Sequence, residues 1–378
     1  MLLFIFFFLL LYGGLNFYVY TTIIAGLGHH STSIAVVLGL LVLSPLFLRF
    51  AESRAPRWIS TTLAWTGYNW MGISFLFASI ALGIDILQVF AQSISQEKAL
   101  VIVSTPTVVA SIYGFLESRW VRVKYLKVQS PKLPFAEDQP FRMVQISDVH
   151  LGYGTLPGQL KGVIEKIRKL NPDLLVSSGD LFDTDLKHLG RYVDQLKSLQ
   201  PPAGKLAVSG NHEVYAGLEE ANVLTRESGF QILESEAVQV SENFYVAGVD
   251  DPEALGETAT ESAETEAFSQ IPSEAFVVLL KHRPHISKTK LNEFDLQLSG
   301  HTHGGQIFPF IFFTRLQYKA RHGLTKLAET TYLYLSRGTG SWGPQIRVFA
   351  PPEITVFDIE YGSSFELVLE TNQKVVEK

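Results

Sequence analysis

Four long apolar stretches fill the first third of the chain and most constrain what it can fold into. They run over about residues 2–27, 33–50, 69–90 and 99–116. Each approaches the roughly 20 residues that a helix needs to cross the hydrocarbon core of a bilayer. The first stretch lacks the basic start and the clean cleavage site of a signal peptide, so we interpret it as a retained span. We therefore predict an all-α transmembrane region of about four helices over residues 1–123.

Basic residues give this region a predicted orientation. Together, the loops after the first and third spans contain one lysine and no arginine, and this lysine is Lys98. The segments after the second and fourth spans are basic: Arg49, Arg54, Arg57, and then Arg119, Arg122, Lys124, Lys127 and Lys132. Because cytoplasmic loops are enriched in lysine and arginine, the N-terminus and the part after Ser118 are expected in the cytoplasm. The chain is thus predicted to be a multi-pass integral membrane protein, of a bacterial inner membrane, with its polar domain cytoplasmic.

Charge and cysteine content exclude several classes of function. The formal net charge is −6 and the sequence pI is near 6.0. A nucleic-acid-binding domain usually shows a strong basic patch, so nucleic acid is not an expected partner. The chain has no cysteine. Any transition metal must therefore be held by His, Asp, Glu or Asn side chains.

The part after the spans predicts a layered α/β domain. Residues 124–140 are basic and contain proline, as is typical of a linker. Over residues 141–360 short apolar strands alternate with helical patterns, and we treat 361–378 as a tail. Functional residues are expected in loops beyond the carboxyl ends of the strands. The acidic segment 250–268 predicts a mobile loop or weak helix, with a lid over an active site as the alternative.

Five short motifs each place polar residues directly after an apolar strand. They are "QISDVHLG", "SSGDLFD", "VSGNHE", "LLKHRP" and "LSGHTHGG". Their candidate functional residues are Asp148, His150, Asp180, Asp183, Asn211, His212, His282, His301 and His303. Loops at one sheet edge can pool oxygen and imidazole ligands around cations, while glycines let the backbone approach closely. One motif alone is weak, but five in this order indicate a metal site.

The five motifs together resemble the calcineurin-like metallophosphoesterase superfamily, whose pattern is DxH, GDxxD, GNH[ED], a single His and GHxH. The resemblance covers about residues 141–360. It is strongest with a membrane-anchored bacterial branch, because of "VYAG" after GNHE and the closing "SRGTGSWGPQIRVFAPPEIT". Members of that branch usually have fewer than four spans, so the membrane region departs from the pattern. The resemblance implies a layered β-sandwich flanked by helices.

The resemblance also implies a site for two divalent metal ions. It assigns Asp148, His150, Asp180 and His303 to one ion. It assigns Asn211, His282 and His301 to the second ion, with Asp180 bridging the two. Manganese is our first choice, with zinc and iron as alternatives, because the ligands are mixed nitrogen and oxygen without thiolate. Two such ions activate a bridging water for attack on phosphorus.

A general acid is implied beside the metal ligands. His212 follows the ligand Asn211 and would protonate the leaving oxygen, and Asp183 would orient and charge it. A helix N-terminal cap is the alternative role for Asp183. Arg283 and His285 flank His282 and are expected around the site or on the surface. Arg337 is either a phosphate donor or part of a structural salt bridge.

The substrate class is less constrained than the chemistry. Residues 308–323, "FPFIFFTRLQYKARHG", suit a phospholipid-like or nucleotide-lipid substrate if exposed, and ordinary packing if buried. Membrane tethering favours hydrolysis of a phosphodiester or pyrophosphate bond in such a lipid. The alternatives are a non-catalytic membrane receptor or scaffold, or a phosphomonoesterase acting on proteins or soluble metabolites. "GDLFDTD" lacks the arginine of protein phosphatases. Asp85, inside the third span, is either functional or a snorkelled structural carboxylate. The natural substrate, the cellular metal and the oligomeric state stay open.

Overall fold

The computed structural model describes residues 2–51, 54–90, 94–156 and 158–369 and divides into two compact units. The first unit comprises residues 1–118 together with two later segments, 307–310 and 343–349. The second unit comprises the rest of the chain. A layered α/β domain preceded by apolar helices is therefore confirmed, and each unit is described in turn.

Four helices form most of the first unit, as predicted. They are α1 (Leu2–Leu27), α2 (Thr32–Ala51), α3 (Arg57–Phe90) and α4 (Gln96–Glu117). Within the described residues, all four are long and apolar enough to cross a membrane. Helix α3 begins 12 residues earlier than the apolar stretch at 69–90. Its first turns contain Ser60 and two threonines, which lower the hydropathy without interrupting the helix because no proline or glycine lies between Arg57 and Gly67.

Small and polar side chains bring these helices together. Gly67 of α3 lies so close to α2 that a Cβ there would be 2.3 Å from Ser44 Oγ. The Trp70 indole N–H donates to Asn16 Oδ1 at 2.8 Å, which joins α1 to α3. Such close approach and interhelical hydrogen bonding are how membrane helices associate, since lipid supplies no hydrophobic drive between them.

The two later segments of the first unit are hydrogen-bonded to α3 and α4. The Gln345 amide donates to Asn69 Oδ1 at 3.0 Å, and Ser118 Oγ donates to the Gln345 carbonyl at 2.9 Å. The Arg347 amide donates to the Gly114 carbonyl at 2.9 Å. An apolar cluster fixes the same contact: Leu76, Ile307, Ile346 and Val348. The first unit therefore extends beyond the predicted region 1–123.

The second unit contains two sheets. The first sheet is built from β1 (Arg122–Ser130), β2 (Phe141–Ile146), β3 (Leu174–Ser177), β4 (Lys205–Ala207), β5 (Gln231–Ile232), β12 (Glu353–Tyr361) and β13 (Glu366–Leu369). The second sheet is built from β6 (Glu236–Ser241), β7 (Phe244–Val249), β8 (Phe276–Lys281), β9 (Leu296–Ser299), β10 (Gly323–Lys326) and β11 (Tyr332–Leu335). The strand orders are β13-β1-β12-β2-β3-β4-β5 and β10-β11-β9-β8-β7-β6.

The described residues of the second unit also form seven helices, of which the first two pack on the first sheet. They are α5 (Gln159–Leu170), α6 (Gly190–Lys197), α7 (Asn211–Ala216), α8 (Leu218–Glu227), α9 (Pro252–Leu255), α10 (Glu257–Phe268) and α11 (Ile311–Gln317), with 3₁₀ turns at Lys288–Lys290 and His303–Gly305. Buried residues of both sheets, such as Val176, Leu298 and Phe357, form one core between the layers. The predicted β-sandwich flanked by helices is confirmed. The acidic segment 250–268 forms α9 and α10, and Ala267 of α10 packs on the second sheet.

The expected linker at 124–140 contains a sheet strand. Strand β1 pairs in parallel with β12, from Arg122 opposite Glu353 to Ser130 opposite Tyr361, and it also pairs with β13. Its basic residues dominate the composition, whereas the burial of Leu126, Val128 and Ser130 follows the two-residue period of a strand. The expected tail at 361–378 likewise begins with the last residue of β12 and includes β13.

Candidate metal centre

The nine candidate residues lie beyond the carboxyl ends of five strands, in loops or in the first turn of a short helix. Strands β2, β3 and β4 are parallel neighbours in the first sheet, and β8 and β9 are parallel neighbours in the second. Because parallel strands end at the same edge, their following loops are brought together. Each of the five motifs follows one of these strands.

The structure gathers most of these side chains into two groups of potential ligands, and His150 with Asp183 and His212 forms a third group. Asp148, His150 and His303 form one group, and Asp180, His282 and His301 form the other; within each group one ligand atom per residue lies within 4.8 Å of the others. The His150 and His303 Nε2 atoms are 3.0 Å apart, and His303 Nε2 is 3.4 Å from Asp148 Oδ1.

Asp180 lies between the two groups. Its Oδ2 atom is 3.1 Å from His282 Nε2 and 3.7 Å from His150 Nε2. One carboxylate is thus within reach of an imidazole from each group. This is the position that a carboxylate shared by two cations requires.

Backbone strain is concentrated at these residues. Positive φ angles, which cost a non-glycine residue about 1–3 kcal/mol where they are sparsely populated, occur at five of them. They are Asp148 (51°), His150 (50°), Asp180 (52°), His301 (72°) and His303 (50°). Glycine is needed opposite two of the carboxylates, because a Cβ at Gly210 would be 2.2 Å from Asp180 Oδ1 and one at Gly300 would be 2.1 Å from Asp148 Oδ2.

Unpaired polar atoms indicate that the site is built for cations. Asn211 is buried, and its Oδ1 atom has no hydrogen-bond partner among the described residues. Such an orphaned acceptor is rare in a native core and fits the amide oxygen expected to bind a metal. The His282 Nδ1 atom lies 2.8 Å from the Ser178 carbonyl, so that a proton on Nδ1 leaves Nε2 free as a ligand.

The electrostatics of the site suit the same role. Burial lowers the pKa of His150 to about 4 and that of His301 to about 3, so both imidazoles are neutral near pH 7 and can bind metal. Burial raises the pKa of Asp148 to about 6. Although burial opposes it, the Asp180 carboxylate raises the pKa of His282. Nearby cations would stabilise both carboxylates in their charged form.

His212 and Asp183 form a separate pair beside the two groups. His212 Nδ1 is 2.9 Å from Asp183 Oδ1, and the two rings of His212 and His150 are 4.6 Å apart between centroids. Although burial opposes it, the hydrogen bond with Asp183 raises the pKa of His212 to about 9. The geometry favours the orienting role of Asp183, since its carboxylate faces the imidazole.

Sequence reasoning did not assign a role to Glu213, which ties two of the loops together. Its buried carboxylate accepts the amides of Asp180 at 3.0 Å, Phe182 at 3.0 Å and Gly210 at 2.8 Å. Burial and the nearby Asp180 carboxylate raise the pKa of Glu213 to about 7, whereas the donated amides favour its charged form. The glutamate in "GNHE", at the third position of helix α7, was the available signal.

Two aromatic residues at the mouth of the site were also missed. Tyr215 and Trp342 are about half exposed, at 55% and 51%, and their rings lie 5.7 Å and 6.0 Å from that of His212. The Gln306 side chain holds the Trp342 backbone with two hydrogen bonds, of 2.8 Å to its carbonyl and 3.0 Å from its amide. A half-exposed indole is therefore fixed beside the candidate general acid.

The remaining candidates occupy structural positions. Arg337 Nη1 is 3.3 Å from Glu353 Oε2, as the salt-bridge alternative states. Arg283 pairs with Asp251 at 3.0 Å. In the first unit, Tyr18 Oη of α1 donates to Asp85 Oδ2 of α3 at 2.5 Å. Asp85 therefore has a hydrogen-bond partner on a neighbouring helix. Of the aromatic run after the histidine loop, Phe312 and Phe313 are more than half exposed.

Comparisons with known proteins agree with this geometry. The family model described as calcineurin-like phosphoesterase matches residues 141–305. A metallophosphoesterase of Aquifex aeolicus is 35% identical over 257 residues, which are 67% of this chain and 97% of that protein. A metallophosphoesterase of Campylobacter jejuni is 35% identical and matches 70% of this chain and 69% of its own length. A transmembrane protein with metallophosphoesterase domain of Danio rerio is 29% identical and matches 82% of this chain and 76% of its own length.

Relatives at this identity and coverage, the match to the family model and the four apolar helices lead to one conclusion. The chain belongs to the calcineurin-like metallophosphoesterases and is a membrane protein of that family.

Proposed function

We propose that this protein hydrolyses a phosphodiester or pyrophosphate bond in a phospholipid-like or nucleotide-lipid substrate. The observation that carries the proposal is the convergence of Asp180 with histidines of both ligand groups, beside the pair of His212 and Asp183. Family membership supports a metal-dependent phosphoester hydrolase. The type of bond that is hydrolysed and the lipid nature of the substrate go beyond what family membership supports.

The residues present fit two divalent cations. Asp148, His150, Asp180 and His303 would hold one, and Asp180, Asn211, His282 and His301 the other. When bound, such a pair of ions supplies an activated water and polarises the phosphoryl oxygens. Mn²⁺ suits the mixed nitrogen and oxygen ligands, and Zn²⁺ or iron are the alternatives.

The chain's own residues then handle the leaving group. The partly buried Asp183 carboxylate holds the proton on His212 Nδ1, so that Nε2 is the atom that can donate to the leaving oxygen. The raised pKa of His212, about 9, keeps the imidazolium populated near neutral pH. An oxygen that leaves as a strongly basic alkoxide needs that proton, whereas a weakly basic leaving group such as a stabilised phenolate does not.

The lipid part of the proposal is supported by the membrane helices and by α11. A soluble metabolite needs no tether, whereas a lipid substrate lies where the helices would hold the chain. The exposed rings of Phe312 and Phe313 are followed by Arg315, an arrangement that suits an acyl chain beside an anionic headgroup. The positive-inside pattern of the loops supports a cytoplasmic catalytic unit, which is part of the proposal.

Turnover by the full-length protein tests the proposal. The protein in detergent or nanodiscs, stripped of metal and reloaded with Mn²⁺, should hydrolyse bis(p-nitrophenyl) phosphate and a nucleotide-lipid pyrophosphate. Asp180→Asn should abolish both activities. Asp194→Asn, which alters an exposed carboxylate on α6, is the matched control and should leave them intact.

Two outcomes contradict the proposal in different ways. Metal binding without turnover of any ester would favour the receptor or scaffold function. Turnover of p-nitrophenyl phosphate with none of the diester or the pyrophosphate would favour a phosphomonoesterase.

A further inference from the structure

An apolar cavity of about 500 Å³ lies within the first unit. Its walls come from α3, through Leu76 and Ile80, and from α4, through Val109 and Tyr113. The two later segments of the unit close it with Phe308 and Phe349. The volume falls in the range of about 300–1,000 Å³ that is typical of small-molecule sites.

The cavity is held open by fixed contacts. The amide of Arg347 is bonded to the Gly114 carbonyl, and a Cβ at Gly114 would lie 2.6 Å from Ile346 Cγ2 and 3.0 Å from Val348 Cγ2. The Phe308 amide donates to the Val348 carbonyl at 3.2 Å, which joins the two later segments. The wall opposite the helices is therefore a bonded pair of segments and not a loose loop.

Aromatic rings form one end of the cavity. The Phe349 ring lies 6.3 Å from that of Tyr113 and 5.9 Å from that of Phe308, measured between centroids. Phe349 has a φ of 60°, uncommon for a bulky residue, and its side chain remains 73% exposed. An aromatic side chain kept exposed at some cost in backbone energy is a feature expected at a binding site.

The lining selects the kind of ligand. Among its side chains only Ser79 and Tyr113 carry a polar atom, and none is charged. A headgroup would lose its hydration here without compensation, whereas an alkyl chain would not. Helices α3 and α4 are long and apolar enough to span a bilayer, so the acyl chains of membrane lipids are the expected source of such a ligand.

We propose that this cavity binds an acyl chain of the lipid substrate. The inference rests on the proposed function for the lipid being a substrate, and it adds where the chain is held. Phe308 follows the candidate ligand His303 by five positions, and Phe349 follows Trp342 by seven. The segments that would bind the acyl chain are thus short continuations of the segments that carry the candidate site.

Photochemical labelling tests the cavity without depending on turnover. Full-length protein in phosphatidylglycerol and phosphatidylethanolamine nanodiscs would be irradiated with a phospholipid carrying a diazirine in its acyl chain. We expect labelling of peptides containing Val109 and Phe349. Val109→Trp should reduce it about tenfold, the loss expected when roughly two methylenes lose their burial.

Val101→Trp is the matched control, since Val101 is on the same helix with similar exposure, 59% against 61%, and does not line the cavity. It should leave labelling unchanged. If Val109→Trp does not fold, Ala110→Leu fills the same wall with a smaller side chain.

The outcomes separate this inference from the proposed function. Equal labelling of the wild type, Val109→Trp and Val101→Trp would overturn the cavity even if lipids are hydrolysed. Site-specific labelling that Val109→Trp removes, with no hydrolysis of any lipid, would overturn lipid hydrolysis and leave an acyl-chain site. Labelling that Val109→Trp removes, together with lipid hydrolysis whose KM rises on shortening the acyl chain in the wild type but not in Val109→Trp, would support the substrate role.

Discussion

At the scale of single residues, the His212–Asp183 pair makes the sharpest prediction. We expect His212→Gln to lower kcat by about 10²- to 10⁴-fold for a phosphodiester with an alkoxide leaving group, because the proton donor is lost. The loss should be small for a p-nitrophenolate leaving group. Steady-state kinetics on both substrates measure the difference, with His188→Gln, an exposed histidine, as control. Equal losses on both substrates would exclude the role of general acid.

Trp342 should act on the leaving group as a binding surface. Its half-exposed ring lies beside His212, so Trp342→Ala should raise the KM roughly two- to tenfold for substrates whose leaving group is aromatic. Substrates with an aliphatic leaving group should be unaffected. Trp120, also exposed, at 64%, provides the matched control as Trp120→Ala. A similar rise with both kinds of leaving group would contradict stacking.

The candidate metal ligands could be predicted from the sequence, whereas the residues that position or surround them could not. The nine candidate residues were readable because each follows an apolar strand within a short motif. Glu213 was not assigned because its function depends on accepting the amides of Asp180 and Phe182, more than thirty positions earlier in the chain. Trp342 lies beside His212 in space but far from it in the sequence, so no local sequence pattern indicates the contact.

At the scale of elements, helix α7 and the loop after β3 should unfold together. Glu213→Gln replaces one acceptor oxygen by a donor that faces backbone amides, and we expect a loss of about 1.5–3 kcal/mol in the free energy of unfolding. Metal affinity should fall as well, because Asp180 loses its support. Thermal unfolding and metal titration check both, with the exposed Glu219→Gln of α8 as control. Unchanged metal affinity would show that the loop is held by other contacts.

The segment before β10 should make stability depend on pH. Burial, together with Arg337 and Arg315, lowers the pKa of His322 to about 4 from 6.5. The unfolded chain then binds more protons than the folded chain between these values, so the free energy of unfolding falls as the pH drops from about 6.5 towards 4. His322→Gln should lose less thermal stability between pH 7 and pH 5 than the wild type does. An identical loss would assign the effect to other groups.

Strand β1 shows why element boundaries were harder to predict than the elements themselves. Its Lys124 and Lys127 give the segment the composition of a linker, and only its pairing with β12 and β13 keeps it in the sheet. Partners that lie more than two hundred positions away cannot be read from a local pattern. Helix α3 was long and apolar enough to be found, and only its start was misplaced.

At the scale of the whole molecule, divalent metal should stabilise the folded protein. A ligand that binds only the folded state at 100 times its Kd raises the free energy of unfolding by about 2.7 kcal/mol. We expect Mn²⁺ to raise the thermal midpoint of the full-length protein, and Asp180→Asn to remove most of that rise. Differential scanning calorimetry with and without chelator measures it. An equal rise in the variant would place the stabilising ion elsewhere.

The division into a membrane half and a water half was predictable, because hydropathy changes abruptly near Ser118. The two short segments that join the first unit were not. They are apolar runs among many, and only contact with α3 and α4 distinguishes them from core strands.

The contact between those two segments and the helices limits how the chain can be divided. A gene truncated after the helices would encode a fragment in which Leu76 has lost Ile307, Ile346 and Val348, and in which the Gly114 carbonyl no longer accepts the Arg347 amide. The helices therefore cannot be exchanged for an arbitrary anchor, and their sequence is expected to change in step with two stretches that begin nearly two hundred residues further along the chain.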